Sequence, residues 1–189
     1  EGRLLARCEG SLPPQICVQN IRTGQITQIT RLAYPDMGTA SWAPDGQQIV
    51  FSAAPAQGKP QKLFVMNADG SNLRQITSGS TYDHEAVWSP DGQWIAFHRD
   101  CGLGIVRPDG SGAQVILQSQ PDKLCVEAPA WSPDSQQIAF LNIVGGSSIP
   151  SELWKIRRDG TILRQMYPFG KRLDGGKVSW SHDGQQLIA

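Results

Sequence analysis

The chain of 189 residues is 39% hydrophobic and 18% charged, and its 17 basic residues balance its 17 acidic residues. This composition predicts a soluble globular protein with a sizeable core. It disfavours nucleic acid or an anionic membrane surface as a partner, because there is no net positive charge to attract either. No segment approaches the roughly 20 apolar residues that span a bilayer, so membrane insertion is not expected.

The first predicted element is the strand RLLAR, which follows Gly2 as QQIVF follows Gly46. The opening dipeptide Glu1-Gly2 therefore corresponds to the end of a repeated hairpin. From this correspondence we expect that an export signal, a tag or a larger upstream region has been removed.

A ten-residue motif then occurs four times, at intervals of 46, 43 and 49 residues. Its copies are WAPDGQQIVF, WSPDGQWIAF, WSPDSQQIAF and WSHDGQQLIA. Proline and aspartate favour the centre of a tight turn, and glycine tolerates the left-handed conformation that closes a hairpin. Each copy thus predicts a hairpin that joins strand A to strand B. Its structural residues are Trp42, Asp45, Gly46, Trp88, Asp91, Gly92, Trp131, Asp134, Trp180, Asp183 and Gly184.

A second signal alternates with the first, as TGQITQIT, DGSNLRQIT, DGSGAQVIL and DGTILRQM. It predicts the turn between strands C and D, with Leu63–Met66 as one strand C and Leu73–Thr77 as the following strand D. One period therefore supplies four strands, as in a propeller blade. Ser135 replaces the hairpin glycine in the third copy. It costs about 1 kcal/mol if the left-handed conformation is kept, unless the turn rearranges.

Together these two signals resemble the TolB-like propeller repeat, and the similarity covers nearly the whole chain. The resemblance implies an all-β fold, a β-propeller of four-stranded antiparallel blades. It also implies a protein of a family whose members are commonly periplasmic or otherwise exported and usually bind other proteins.

We expect a single domain over residues 1–189, with repeat units of about 2–45, 46–91, 92–134 and 135–183 and a terminal strand at 184–189. Four periods allow two arrangements. The chain is either a closed four-blade ring, in which Lys177–Trp180 pairs with the first strands, or a fragment of a six- to eight-blade propeller. Strand edges left open are expected to drive homodimerisation.

The loops that join D to A and B to C share one rim of the predicted propeller, here called the D–A rim, and functional residues concentrate on such loops. Acidic and aromatic side chains recur there and are candidates for binding a partner protein, although aspartate also favours turns for structural reasons. If the rim is correct, truncation of Tyr82 or Asp83 should weaken partner binding and leave folding intact. The candidates are Tyr34, Asp36, Tyr82, Asp83, His84, Glu85, Asp122 and Asp174.

Four cysteines fall in two pairs around this geometry. Cys8 and Cys17 flank the first B-to-C connection, while Cys101 and Cys125 lie in neighbouring loops of the D–A rim. Two disulfides, Cys8 to Cys17 and Cys101 to Cys125, are predicted for an oxidising compartment, and four reduced thiols are the alternative.

His84 and His98 also lie near this rim, and folding of the hairpin places His84 opposite Phe97. No HxxxH or CxxC spacing accompanies them, so we expect neither a metal nor another cofactor. Nor is there a GxSxG nucleophile motif. We therefore expect a noncatalytic protein-interaction module in the bacterial envelope. The alternative is the propeller part of a larger enzyme, such as the gating domain of a prolyl-oligopeptidase-like peptidase.

Overall fold

A computed structural model describes residues 3–8, 13–34, 36–118, 125–143, 152–167 and 177–189. All regular structure in these ranges is β-strand, as predicted. No helix there has the length and apolar character that a membrane crossing requires. The strands are β1 (Arg3–Arg7), β2 (Ile16–Asn20), β3 (Ile26–Gln28), β4 (Asp36–Trp42), β5 (Gln48–Ala54), β6 (Lys62–Asn67), β7 (Arg74–Gln75), β8 (Asp83–Trp88), β9 (Ile95–Arg99), β10 (Gly102–Val106), β11 (Gln114–Leu117), β12 (Val126–Trp131), β13 (Gln137–Asn142), β14 (Glu152–Arg157), β15 (Arg164–Tyr167), β16 (Ser179–Trp180) and β17 (Leu187–Ile188).

Strands that are neighbours in sequence pair antiparallel within each sheet. Three sheets have four strands each and contain β4–β7, β8–β11 and β12–β15. The first sheet has the three strands β1–β3, and β16 pairs with β17. The order A, B, C, D in the four-stranded sheets confirms the predicted blade.

The closed four-blade ring is not formed. Closure required the last strand A to pair with the first strands, whereas β16 pairs with β17 through Ser179–Ile188 and Trp180–Leu187. β1 pairs with β2 in a separate sheet. Pairing with an adjacent strand closes a short loop, which costs less chain entropy than pairing the two ends of the chain. The described sheets therefore form an open arc, as the fragment arrangement predicts, while dimerisation through the open edges remains a prediction.

The repeated hairpin is held by its serine and aspartate. In the third copy the Ser132 hydroxyl donates to Asp134 Oδ1 at 2.5 Å and accepts from the Gln137 N–H at 2.9 Å. The Gln136 N–H donates to the same carboxylate oxygen at 3.0 Å. The two hydrogen bonds that the Asp134 carboxylate accepts lower its pKa below the ordinary value. The bond from the Ser132 hydroxyl has the larger effect, and the bond from the Gln136 N–H has the smaller one. The same network forms around Ser89 and Ser181 in the second and fourth copies. In the first copy Ala43 replaces the serine, and the aspartate bond from the Gln47 N–H remains.

The core lies between neighbouring sheets. Phe51, Phe97 and Phe140 occupy the same position in three successive B strands, and each is at most 1% exposed. Strand B is buried on both faces, since Ile95 and Ala96, adjacent residues that point to opposite sides, are both fully buried. Each blade therefore contributes to two cores, one with the preceding sheet and one with the next.

The motif tryptophans connect the inner strands of successive sheets. The Trp131 indole N–H donates to the Val87 carbonyl at 3.2 Å, and the Trp180 indole N–H donates to the Ala130 carbonyl at 3.1 Å. In each case the acceptor is the residue just before the preceding tryptophan of the series. The buried indole nitrogens of Trp42 and Trp88 have no hydrogen-bond partner within the described residues. The tryptophans are thus blade-packing residues, and within the described part of the chain the later two also contribute a hydrogen bond.

Ser135 keeps the left-handed conformation of the glycine that it replaces, with a φ of 59°. Its side chain is buried, and its hydroxyl oxygen accepts a hydrogen bond at 3.0 Å from the Asp91 N–H of the preceding hairpin. A glycine could not make this contact. The bond between hairpins offsets the cost of the backbone conformation, so the turn does not rearrange.

Ser135 substitutions separate these two effects. Ser135→Ala keeps the strained conformation and loses the hydrogen bond, so we expect unfolding free energy to fall by about 1 kcal/mol. Ser135→Gly loses the same bond but relieves about 1 kcal/mol of backbone strain, so its stability should stay close to that of the parent. Urea denaturation of both variants measures the difference. Equal stability of the alanine variant and the parent would contradict the proposed offset.

The tryptophan hydrogen bonds predict unequal effects of one substitution at two positions. Trp131→Phe removes the donor to the Val87 carbonyl, whereas Trp88→Phe removes an indole N–H that has no partner in the described structure. We expect Trp131→Phe to destabilise the protein by about 1 kcal/mol more than Trp88→Phe. Thermal unfolding of the two variants tests this, and the reverse order would show that the indole bond contributes nothing.

Candidate functional site: the central cleft and the D–A rim

Each inner strand A of the three complete sheets carries a β-bulge. The pairing register shifts between Met37 and Ala40 in β4, between His84 and Val87 in β8, and between Glu127 and Ala130 in β12. In each case the inner strand has one residue more than the strand B that it faces. Such bulges commonly redirect side chains beside functional sites.

Two residues in these bulges adopt a backbone conformation that is rare for residues with a side chain. Glu85 has a φ of 52° and Ala128 a φ of 48°. The left-handed region costs about 1 kcal/mol for such residues. The Glu85 carboxylate compensates in part, because its Oε2 accepts a hydrogen bond at 2.9 Å from the Ala128 N–H of the next sheet. The two bulges are thereby joined.

The bulged strands line a cleft at the inner edge of the arc, here called the central cleft. Its volume is about 520 Å³. Its walls come from successive inner strands and from the residues that precede β16. The lining residues are Thr39, Ala40, Ser41, Glu85, Ala86, Val87, Glu127, Ala128, Pro129, Lys177 and Val178.

Two carboxylates meet in the central cleft. The pKa of Glu127 is raised above its ordinary value, chiefly because the carboxylate is partly buried and to a smaller extent because Glu85 is negatively charged. Desolvation and a like charge both disfavour the charged form of a carboxylate. The described lining of the cleft contains one cation, Lys177. Of these two glutamates only Glu85 was among the sequence candidates. Glu127 follows Val126 at the start of a strand, and no turn signal or acidic repeat pointed to it.

The other rim candidates divide into exposed and buried residues. Tyr82 is 53% exposed, and Asp36 is exposed and accepts a hydrogen bond from the Gln61 amide. Tyr34 instead packs on Phe64, with ring centroids 5.2 Å apart, and borders the core. Asp122 and Asp174 lie outside the described residues.

Asp83 is the clearest departure from the sequence-based expectation. Its carboxylate is fully buried and pairs with the Lys62 ammonium at 3.2 Å. It also accepts two hydrogen bonds from the Arg99 guanidinium, at 2.7 and 2.9 Å. Asp83 thus pairs with two cations in the protein interior, so it is not an exposed rim residue, and its truncation is now expected to destabilise the fold. Lys62 lies on strand C of the preceding sheet, and Arg99 lies on strand B of the same sheet, where the bulge sets it opposite Asp83.

The cysteines form both predicted disulfides. Cys8 is bonded to Cys17 and Cys101 to Cys125, with Cα–Cα distances of 5.2 and 4.1 Å. The second bond joins the turn after β9 to the residue before β12, and so links two neighbouring sheets.

The two histidines face each other directly, because the bulge in β8 shifts the register. His84 pairs with His98 rather than with Phe97. His98 Nε2 accepts a hydrogen bond from the Cys101 N–H at 2.7 Å. His98 Nδ1 therefore carries the proton and donates to His84 Nε2 at 2.6 Å. Burial, followed by the charge of His84, lowers the pKa of His98 to about 4, so this imidazole is neutral near pH 7.

The contrast between two adjacent residues provides a test of this division of the rim. Asp83→Ala leaves the buried Lys62 ammonium without its carboxylate, and we expect a loss of about 3–5 kcal/mol of stability. Tyr82→Ala removes an exposed ring and should change stability by less than about 0.5 kcal/mol. Chemical denaturation measures both, and equal effects would refute the assignment of Asp83 to the interior.

Comparison with known proteins agrees with this architecture. A family model described as the TolB beta propeller domain matches residues 10–115. The chain is 26% identical over 153 residues to the uncharacterized protein YidR of Escherichia coli strain K12, a match covering 78% of the chain and 34% of YidR. It is 35% identical over 125 residues to a TolB homolog of Chlorobaculum tepidum, which covers 64% of the chain and 27% of the homolog. The chain thus spans about a third or less of the length of these relatives.

Two solved structures share the fold. TolB from Acinetobacter baumannii superposes with a TM-score of 0.76 at 20% identity, over 98% of this chain and 45% of that one. An oligogalacturonate lyase from Vibrio parahaemolyticus superposes with a TM-score of 0.69 at 14% identity, over 92% of this chain and 52% of that one. Because the matching family model covers more than half of the chain, the protein belongs to the TolB β-propeller family.

Proposed function

We propose that the chain is a noncatalytic protein-interaction module of the bacterial envelope, and that its central cleft binds a basic segment of a partner protein. The observation that carries this proposal is the pair of glutamates in the cleft. Glu127 is partly desolvated beside Glu85, and these two effects raise its pKa. The described lining of the cleft holds these two carboxylates and one cation, Lys177. A lysine or arginine from a partner would balance the remaining negative charge.

The dimensions of the cleft favour a short segment as the ligand. A volume of about 520 Å³ holds a few side chains rather than a folded domain. The inner strands that form its walls are joined by hydrogen bonds from Trp131 to Val87, from Trp180 to Ala130 and from Ala128 to Glu85, so the site needs little rearrangement to bind. The exposed ring of Tyr82, on the D–A rim, offers an additional aromatic contact.

Location in the envelope is supported by the two disulfides, which persist in oxidising compartments. It also agrees with the exported location that the family resemblance implies. A binding role for the chain itself is favoured by the lack of a GxSxG motif in its sequence. The likeness to the lyase is one of fold, and fold does not carry an activity with it.

Site-specific crosslinking tests the proposed site. A photoreactive side chain at Thr39, inside the cleft, should capture a partner from envelope extract, whereas the same group at Asp159, in an exposed C-to-D turn, should not. Mapping the crosslinked peptide then shows whether the captured segment is basic. Equal capture from both positions, or a crosslinked segment without basic residues, would contradict the proposal.

Glu127→Gln should weaken the binding of a lysine- and arginine-rich peptide about tenfold, which corresponds to about 1.4 kcal/mol. The parent should lose affinity as the pH falls through the raised pKa of Glu127, which lies above the ordinary value of 4.5, because protonation removes the attracting charge. The variant should lose that part of the pH dependence. Fluorescence anisotropy against pH measures both effects.

Asp159→Asn is the matched control, because it removes one negative charge from an exposed turn. It should leave peptide affinity and its pH profile unchanged. If Asp159→Asn weakens binding as much as Glu127→Gln, the attraction comes from overall charge and not from the cleft.

A further inference from the structure

The disulfide between Cys101 and Cys125 lies beside an imidazole that no proposed binding role uses. His98 Nε2 is 4.0 Å from Cys125 Sγ. The ligand atoms of His98, Cys101 and Cys125 all lie within 4.8 Å of one another. Once reduced, the two sulfurs would join the imidazole nitrogen as a set of donors suited to Zn²⁺, which binds thiolate and imidazole in tetrahedral sites.

We propose that reduction of the Cys101–Cys125 disulfide creates a zinc site whose ligands are the two thiolates and His98 Nε2, with the fourth position open to water. The reductant is a dithiol. Its two thiols become one disulfide while the protein disulfide becomes two thiols, so electrons and protons balance. Binding of Zn²⁺ then releases the two thiol protons.

Backbone hydrogen bonds hold the two cysteines together independently of their sulfurs. The Val126 N–H donates to the Cys101 carbonyl at 2.9 Å, and the Cys125 N–H donates to Asn142 Oδ1 at 2.9 Å. The Ile143 N–H donates to the Cys125 carbonyl, also at 2.9 Å. Because these bonds survive reduction, the thiols stay adjacent and the ligand set is kept in place.

His84 is the positioning residue of this site. A zinc-bound histidine usually donates its other ring N–H to a nearby acceptor, which fixes the tautomer and the ring orientation. His98 Nδ1 already donates to His84 Nε2, so His98 Nε2 is the nitrogen that faces the sulfurs. Zinc binding replaces only the hydrogen bond that His98 Nε2 accepts from the Cys101 N–H.

The other disulfide supplies an internal control. Cys8 and Cys17 lie at the connection between β1 and β2, and the three histidines of the chain are His84, His98 and His182. His182 lies in the last hairpin, and the first two face each other between β8 and β9. No histidine is close in sequence to Cys8 or Cys17. These two thiols should therefore bind Zn²⁺ weakly when they are reduced.

The experiment uses the full chain with Cys8→Ser and Cys17→Ser, so that Cys101 and Cys125 are the remaining cysteines. After reduction by a dithiol and removal of excess reductant without oxygen, Zn²⁺ is titrated by calorimetry and Co²⁺ by its thiolate charge-transfer absorption. We expect one tight site per chain in the reduced protein and none in the oxidised protein. A chain with Cys101→Ser and Cys125→Ser, reduced in the same way, should lack that site.

His84 variants test whether the oriented His98 imidazole is a zinc ligand or whether two adjacent thiols bind the metal by themselves. His84→Ala should weaken Zn²⁺ binding about 10- to 100-fold, and His84→Gln, whose amide oxygen can accept from His98 Nδ1, should restore part of the affinity. Circular dichroism of the reduced, metal-free protein checks that the sheets persist. Binding that is equal in oxidised and reduced protein, or unaffected at His84, would overturn the proposal, as would unfolding on reduction.

Discussion

Stacking of one inner hairpin on the next is the interaction on which the architecture depends. A Cβ added to Gly92 would lie 3.5 Å from Pro44 of the preceding hairpin, and one added to Gly184 would lie 3.6 Å from Pro133. Successive hairpins are therefore in direct contact, and the tryptophan and Ser135 bonds run between the same elements. Because the inner strands are positioned by this stacking, the cleft between them is a product of the repeat and not of any single loop.

The repeat made the sheets and the disulfides predictable. The turn residues of the motif have strong local preferences, and the spacing places strand after strand in sequence order. The loop ends that follow from this order place Cys101 near Cys125 and so predict their disulfide. What is local, or periodic, could be derived from the sequence.

The bulges could not be predicted from the sequence. Most of the differences between the predicted and the observed D–A rim result from them. An extra residue in strand A has no turn signature, yet it sets His84 against His98 and turns Glu85 into the cleft. The burial of Asp83 escaped prediction for another reason. The packing of the preceding sheet brings Lys62 to it from 21 residues away, whereas Arg99 lies directly opposite it in the same bulged hairpin.

Glu85 also bears on any attempt to stabilise this protein. Replacing a non-glycine residue of positive φ by glycine relieves backbone strain and is a standard route to higher stability. At Glu85 that route would relieve the backbone while deleting a carboxylate of the cleft and the bond to the Ala128 N–H. A gain in backbone freedom at this position is therefore tied to the loss of a carboxylate on which the proposed binding of a basic segment depends.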